Sequence, residues 1–168
     1  MYLSEFNHQA ASEIKAFLQQ CVHIPQWADH IIQQRPFLSA HDLYQCATQQ
    51  AQHWSWSEIL AALNTHPRIG ENHAQQALSH QESKFSKQEQ ILINKDQDVL
   101  NQIYKGNIAY EKRFGYIFLI KASGLKSDDI LTALNYRLMN DAETEQRIVH
   151  QQLLEIALLR LTQEVQND

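Results

Sequence analysis

Apolar residues in the first part of the chain recur at intervals of three and four, which is the spacing of one face of an α-helix. This spacing predicts a single amphipathic helix over residues 4–20. A short segment then begins at Pro25 and ends at the Arg35-Pro36 pair, because proline favours helix starts and disfavours helix interiors. Residues that favour the N-cap position predict the next helix starts at Ser39 and at Ser55 or Ser57.

The second half of the chain continues with helical spacing but contains two stretches whose conformation the pattern does not decide. Residues 72–85 are polar and lack a regular period, and residues 114–121 form a short apolar run that is helical or extended core. Between them a helical pattern runs from Ser86 to Tyr110, with a break predicted near Lys95-Asp96 or at Gly106. The last two helices are predicted to begin at Ser127, and at Asp141 or Thr144.

The last helix carries apolar residues on two nearly opposite faces, which predicts that it is largely buried. Val149, Leu153 and Ile156 fall on the first stripe, and Leu154, Leu158 and Leu161 fall on the second. Arg160 follows Val149 by eleven residues, which places it within about 20° of Val149 on the first stripe. Because burying an unpaired guanidinium costs several kcal/mol, we expect Arg160 to meet a carboxylate or an anionic ligand.

Composition agrees with the helical pattern. The 168 residues include four glycines and three prolines, whereas Leu, Ala, Gln, Glu and Ile are abundant. Such a composition favours long helices over many short strands, and the length fits one domain with a continuous core. We therefore expect an all-α fold, a single compact multi-helix domain over residues 1–168 with a long, largely buried C-terminal helix.

Charge and cysteine content argue against several classes of function. The formal charge of −5 and the lack of a Lys/Arg block argue against a nucleic-acid partner. No apolar run approaches the roughly 18 residues of a membrane span, and the start of the chain lacks the pattern of a signal peptide. Cys21 and Cys46 lack CxxC spacing and fall among helical apolar residues, which predicts buried, reduced thiols and a cytoplasmic protein.

Two short polar segments are candidates for chemistry, and each also has a structural interpretation. His66-Pro67 fits a helix boundary, because proline is favoured at the first helical position; alternatively, the imidazole of His66 acts as a general acid or base. Ser86 and Glu89 have the spacing of a helix-capping box. The same hydroxyl and carboxylate, with the carboxamide of Gln90, could instead form hydrogen bonds with a substrate that carries a ureido or carboxylate group. The sequence leaves both alternatives open.

A metal or nucleotide site has little support. His66, His73 and His80 are spaced by seven residues, which is two helical turns and too far for two imidazoles on one helix to share an ion. The chain has no glycine-rich phosphate loop. We expect neither group to be bound.

Four segments together resemble the 2-oxo-4-hydroxy-4-carboxy-5-ureidoimidazoline (OHCU) decarboxylases, the enzymes that complete the route from urate to allantoin. The segments are THPRIGE at 65–71, Ser86 with Glu89 and Gln90, NIAYEKRFGY at 107–116, and RLMNDAETEQR at 137–147. Each segment is weak alone, but their order and spacing match the family over nearly the full length.

The resemblance implies an all-helical fold, no cofactor, and decarboxylation of OHCU to (S)-allantoin and CO2. The residues that it implies are His66 and Glu89 for catalysis, and Pro67, Ser86, Gln90 and Arg160 for substrate binding. Backbone groups of residues 114–120 would line the pocket, and members of the family are often homodimers. The alternative is a non-catalytic all-α interaction module, which the abundant glutamines and the two-faced last helix would also fit.

Overall fold

Helices form the regular structure of this chain. The computed structural model describes residues 1–70, 80–90 and 96–168, apart from the side chains of residues 80, 81, 83 and 86. Within these ranges there are nine helices, and the only β-pairing is an isolated bridge between Tyr2 and Gln166. The helices are α1 (Leu3–His8), α2 (Ala11–Cys21), α3 (Pro25–Gln33), α4 (Ala40–Ala51), α5 (Trp56–Leu63), α6 (His80–Glu89), α7 (Gln97–Phe114), α8 (Ser127–Arg137) and α9 (Ala142–Glu164). The prediction of an all-α fold is confirmed.

Side-chain caps explain several of the helix starts. The first N–H groups of a helix have no partner within the helix, so a preceding side-chain oxygen stabilises the start by accepting from one of them. Such bonds join Ser39 to the N–H of Asp42 (3.1 Å), Ser55 to that of Glu58 (3.2 Å), Asp96 to that of Asp98 (3.0 Å) and Asp141 to that of Thr144 (2.8 Å). These bonds confirm the starts predicted at Ser39, Ser55 and Asp141, and they place the predicted break at Asp96.

The single helix predicted over residues 4–20 is wrong. Helix α1 ends at His8 and α2 begins at Ala11, because Gln9 is extended (φ −61°, ψ 157°) and Ala10 is also non-helical (φ −55°, ψ 139°). The apolar period continues across this break, and Phe6, Ile14 and Leu18 are all fully buried. Periodicity alone therefore could not reveal a break that no glycine or proline marks.

The pattern from Ser86 to Tyr110 belongs to two helices. The helix start predicted at Ser86 is wrong, because α6 already begins at His80. Helix α7 runs through Gly106, where an added Cβ would lie 2.5 Å from Leu134 Cδ2 of α8, so glycine permits the close approach of α7 and α8. Gly115 is left-handed (φ 84°), and residues 116–122 beyond it are irregular. The apolar run, whose conformation the sequence left undecided, is therefore not helical beyond Phe114.

Contacts divide the chain into two units. The first unit contains residues 1–62 and 154–168, and the second contains residues 63–153. In the first unit, the Trp27 indole is buried and donates to the carbonyl of Ala47 at 2.9 Å. The second unit contains a hydrophobic cluster of Ile69, Ile103, Tyr110, Phe118, Ala122, Ile130 and Leu134. The single domain over residues 1–168 stays a prediction.

Helix α9 is the long C-terminal helix that the sequence predicts. Its two apolar stripes are buried, except that Leu158 is partly exposed. Two charged residues on the first stripe are buried with them: Glu145 is fully buried and Arg160 is 4% exposed.

Two further expectations concern membranes and thiols. Among residues 1–70, 80–90 and 96–168, no helix is long and apolar enough to cross a membrane. The predicted burial of the cysteines is confirmed for Cys21, whereas Cys46 is only partly buried.

Candidate active site

His66 and Pro67 lie in an irregular segment that follows α5. The backbone N–H of His66 donates to the carbonyl of Leu63 at 3.1 Å, which forms a turn at the end of that helix. Pro67 is not helical, so its interpretation as the first residue of a helix is wrong. The imidazole of His66 is half-buried, and its Nε2 atom is shielded from solvent.

Arg68 and Ile69, which follow Pro67, anchor this segment in the second unit. The guanidinium of Arg68 forms a fork with the carboxylate of Glu111 on α7, with Nη2–Oε1 at 2.7 Å and Nε at 3.1 Å from both oxygens. Ile69 is 8% exposed and belongs to the hydrophobic cluster. The segment is therefore held by an ion pair and by apolar burial at adjacent positions.

Two further predicted site residues lie at the C-terminal end of α6, and one of them contacts this segment. Glu89 is the last residue of the helix, Gln90 follows it, and both are half-buried. The backbone N–H of Gly70 donates to Gln90 Oε1 at 3.3 Å. Gly70 has φ 79°, a conformation that favours glycine. This bond links the segment that carries His66 to the predicted Glu89–Gln90 pair.

Ser86 lies within α6, so its interpretation as the cap of a capping box is wrong. An N-cap residue has a non-helical backbone, whereas Ser86 follows six helical residues, His80–Phe85. The polar character of that stretch hid the helix, although Phe85 is 1% exposed. The side chain of Ser86 lies outside the described residues, and its substrate-binding role stays a prediction.

Arg160 belongs to the first unit, where it contacts the end of α2. Its Nη1 donates to the carbonyls of Cys21 (3.3 Å) and Gln20 (3.5 Å), the last two residues of that helix. The last carbonyls of a helix have no intrahelical partner and carry partial negative charge, so they stabilise a cation. The sequence predicted a carboxylate or an anionic ligand for Arg160, and the carbonyls of a helix end are a third kind of partner that its spacing does not indicate.

A buried polar network in the second unit was also missed. Arg137 Nε and Nη2 lie 2.7 and 2.6 Å from Glu145 Oε1, and the hydroxyl of Tyr110 donates to the same oxygen at 2.6 Å. Asn140 Nδ2 donates to Glu145 Oε2 at 3.0 Å. The signal was present in the sequence, because Glu145 precedes Val149 by one helical turn on the same stripe of α9.

This network and a neighbouring bond hold the irregular segment 116–122. Arg137 Nη1 donates to the carbonyl of Leu119 at 2.6 Å, and the N–H of Lys121 donates to Gln152 Oε1 at 2.8 Å. Burial raises the pKa of Tyr110, and its hydrogen bond to Glu145 raises it further. That this segment lines a pocket stays a prediction.

Among the residues that the structure describes, no three His, Cys, Asp or Glu side chains come together in a way that could hold a metal ion. Of the three histidines spaced seven residues apart, His73 and the side chain of His80 lie outside the described residues.

Comparison with known sequences identifies a family. The OHCU decarboxylase profile matches residues 7–162. The chain is 26% identical over 162 residues to the uric acid degradation bifunctional protein of Bacillus sp. (strain TB-90), covering 96% of the chain and 32% of that protein. It is 25% identical over 152 residues to the 2-oxo-4-hydroxy-4-carboxy-5-ureidoimidazoline decarboxylase of Haloferax volcanii, covering 90% of the chain and 88% of that protein. The chain thus spans about a third of the first relative and most of the second.

A solved structure has a similar fold. The crystal structure of OHCU decarboxylase in the presence of (S)-allantoin matches with a TM-score of 0.67 and 24% sequence identity. The match covers 85% of this chain and 92% of that one. At this identity the likeness shows a shared fold.

Proposed function

Because the chain belongs to the OHCU decarboxylase family, we propose that it decarboxylates OHCU to (S)-allantoin and CO2 in urate degradation, without a cofactor. The match of the family over residues 7–162 carries this proposal. The hydrogen bond from Gly70 to Gln90 supports it, because this bond joins the segment that carries His66 to the end of α6, where Glu89 lies.

The chemistry of the substrate explains why protein side chains suffice. The carboxylate and a hydroxyl share the ring carbon that loses CO2. The electron pair of the broken bond forms a double bond to the neighbouring imine carbon, while the π electrons of the imine move to its nitrogen, which takes up a proton. The substrate therefore supplies its own electron sink, a task for which other decarboxylases use an organic cofactor. What the protein must add is orientation and a proton.

The proposed catalytic residues are His66 and Glu89. His66 accepts or donates a proton at the substrate hydroxyl or at the developing enol. General acid–base catalysis of this kind raises the reaction rate by about 10²–10⁴-fold. Protonation of the ureido-bearing carbon on one face gives the (S) product, and His66 and Glu89 are the two candidate donors. The half-buried environment of both residues is compatible with contact to a small substrate.

The proposed substrate-binding residues are Pro67, Ser86, Gln90 and Arg160. Gln90, with Glu89, holds the N–H donors of the ureido group, because amide and carboxylate oxygens accept such bonds. Arg160 orients an anionic or carbonyl group of the substrate. A homodimer, which the resemblance to the family implies, and a cytoplasmic location, which the cysteine content predicts, complete the proposal.

Activity is tested with OHCU made in place by adding urate oxidase and hydroxyisourate hydrolase to urate. The chain is expected to accelerate CO2 release and to give optically pure (S)-allantoin, followed by circular dichroism. His66→Ala should lower the rate by about 10²–10⁴. His53→Ala is the matched control, because His53 is an exposed histidine of the first unit, and it should retain wild-type activity.

Two contrary outcomes have different meanings. A folded wild-type chain that gives no acceleration would favour the interaction module over the enzyme. An active wild type, with unchanged rate and optical purity in His66→Ala, would keep the reaction and remove His66 from it.

A further inference from the structure

We propose that the ion pair between Arg68 and Glu111 positions His66 for catalysis. This inference rests on the proposed function, because it assigns the pair a role in placing the catalytic imidazole. Neither residue needs to touch the substrate, so both are positioning residues.

The geometry of the pair fixes orientation as well as distance. Arg68 makes three contacts with Glu111, at 2.7, 3.1 and 3.1 Å, and both carboxylate oxygens take part. A guanidinium fork on a carboxylate restricts rotation in a way that a single-point contact does not. Glu111 follows the fully buried Tyr110 on α7, so the carboxylate is carried by a well-packed helix, the kind of element that holds a site accurately.

The link from Arg68 to His66 is short and stiff. Two residues span at most about 7 Å, and Pro67 between them has a fixed φ angle. A following proline also restricts the backbone of His66 itself. On the other side, the N–H of His66 is bonded to Leu63 at the end of α5. A shift of Arg68 is therefore passed to the imidazole, and a displacement of about 1 Å can lower a catalytic rate a hundredfold.

The exposure of the Arg68 and Glu111 side chains distinguishes a positioning role from a stabilising one. The side chains of Arg68 and Glu111 are 41% and 27% exposed, and ion pairs at such positions contribute little to global stability. The adjacent Ile69 is buried in the hydrophobic cluster, which keeps the segment folded without the pair. Loss of the fork should therefore loosen His66 without unfolding the second unit.

The test measures kcat, KM and the melting temperature of Glu111→Gln with enzymatically generated OHCU. We expect kcat to fall by about ten- to a hundredfold, with KM within about twofold and the melting temperature within about 2 °C. Arg68→Lys, which keeps the charge but loses the fork, should show a smaller loss of kcat. The exchange Arg68→Glu with Glu111→Arg should recover most of the loss, because it restores the fork in reverse.

The control is Glu143→Gln, which removes the carboxylate of an exposed pair with Arg147 at 3.5 Å and should leave kcat unchanged. An active wild type whose kcat survives Glu111→Gln overturns this inference alone. The same follows from a raised KM at constant kcat, or from a lowered melting temperature with a kcat that the exchange does not restore. An inactive wild type overturns the proposed function and this inference together.

Discussion

Glu145 and Arg160 fall on the same apolar stripe of α9, but their described contacts are with different kinds of partner. Glu145 is fully buried and faces the guanidinium of Arg137, with Tyr110 and Asn140 donating to its oxygens. The described bonds of Arg160 lead to two backbone carbonyls at the end of α2, and they are longer, at 3.3 and 3.5 Å.

The difference bears on what a buried charge can indicate. Glu145 has an opposite full charge at 2.6 Å, so removing either partner leaves a buried ion without compensation. The carbonyls near Arg160 offer only the partial charges of a helix end. Glu145 is more deeply buried than Arg160, yet its described contacts give it a structural role. Burial of a charge on an apolar stripe is therefore weak evidence for a substrate site, and the proposed role of Arg160 needs its own test.

The largest expected effect is that of Glu145→Gln on stability. The substitution removes the negative charge and leaves Arg137 buried, with a side chain that is 6% exposed. We expect the free energy of unfolding to fall by about 3–5 kcal/mol, measured by urea denaturation at neutral pH. Molecules that remain folded should keep their KM, because Glu145 is assigned no contact with substrate.

Glu143→Gln is the matched control for this prediction. Glu143 lies on the same helix and pairs with Arg147 at 3.5 Å, but both side chains are largely exposed. The expected change is about 0–1 kcal/mol. Equal changes in the two variants would show that burial of the Glu145 network adds nothing to stability.

Arg160→Met is expected to change stability less and activity more. The substitution removes donors to the carbonyls of Gln20 and Cys21, which should lower the free energy of unfolding by about 1–3 kcal/mol. If Arg160 orients the substrate as proposed, kcat/KM should fall by about ten- to a hundredfold, the equivalent of one charge-assisted hydrogen bond.

Comparison of Arg160→Met with Arg160→Lys sharpens this prediction. Lysine keeps the charge near the end of α2 but loses the planar fork, so stability should recover more than kcat/KM. An Arg160→Met variant with wild-type kcat/KM would reduce Arg160 to a cap of α2.

Local signals predicted much of the fold. Ser39, Ser55 and Asp141 are N-cap residues whose side chains act on the next helical turn, so the sequence contains the whole interaction. The buried stripes of α9 follow from the helical period alone. The break at Ala10 was not predicted, because no glycine or proline marks it. The start of α6 at His80 was missed, although Ser79 and Glu82 have the S-x-x-E spacing of a helix start in the sequence.

The candidate site was predictable only in part. The sequence singled out His66 and Gln90, but the bond between Gly70 and Gln90 depends on how the chain returns after 20 residues. Arg68 and Glu111 are 43 residues apart, and no periodicity pairs residues at that separation. The burial of Glu145 could have been predicted, because Glu145 lies on the same stripe of α9 as Val149.

The smallest expected effect concerns Cys21, which accepts a bond from Arg160 through its carbonyl and also responds to the Arg160 charge. Burial raises the pKa of its thiol from 9.0 to about 12; the positive charge of Arg160 lowers it, and the negative charge of Glu164 raises it. In the unfolded chain this thiol loses its proton near pH 9, whereas the folded protein keeps it up to about pH 12. The contribution of Cys21 to stability is therefore complete below pH 9 and is lost progressively as the pH rises from 9 towards 12.

Urea denaturation at pH 8, 9 and 10 tests this dependence. Between pH 9 and 10 the wild type should lose about 1 kcal/mol more than Cys21→Ala, since one pH unit corresponds to at most about 1.4 kcal/mol for one proton. Cys46→Ala is the control: Cys46 is only partly buried and its pKa is also raised by burial, so its removal should change the slope less. Equal slopes in the wild type and Cys21→Ala would mean that the thiol ionises in the folded state despite its burial. The carbonyl contacts of Arg160 at the end of α2 would then lie in a more hydrated environment than the structure indicates.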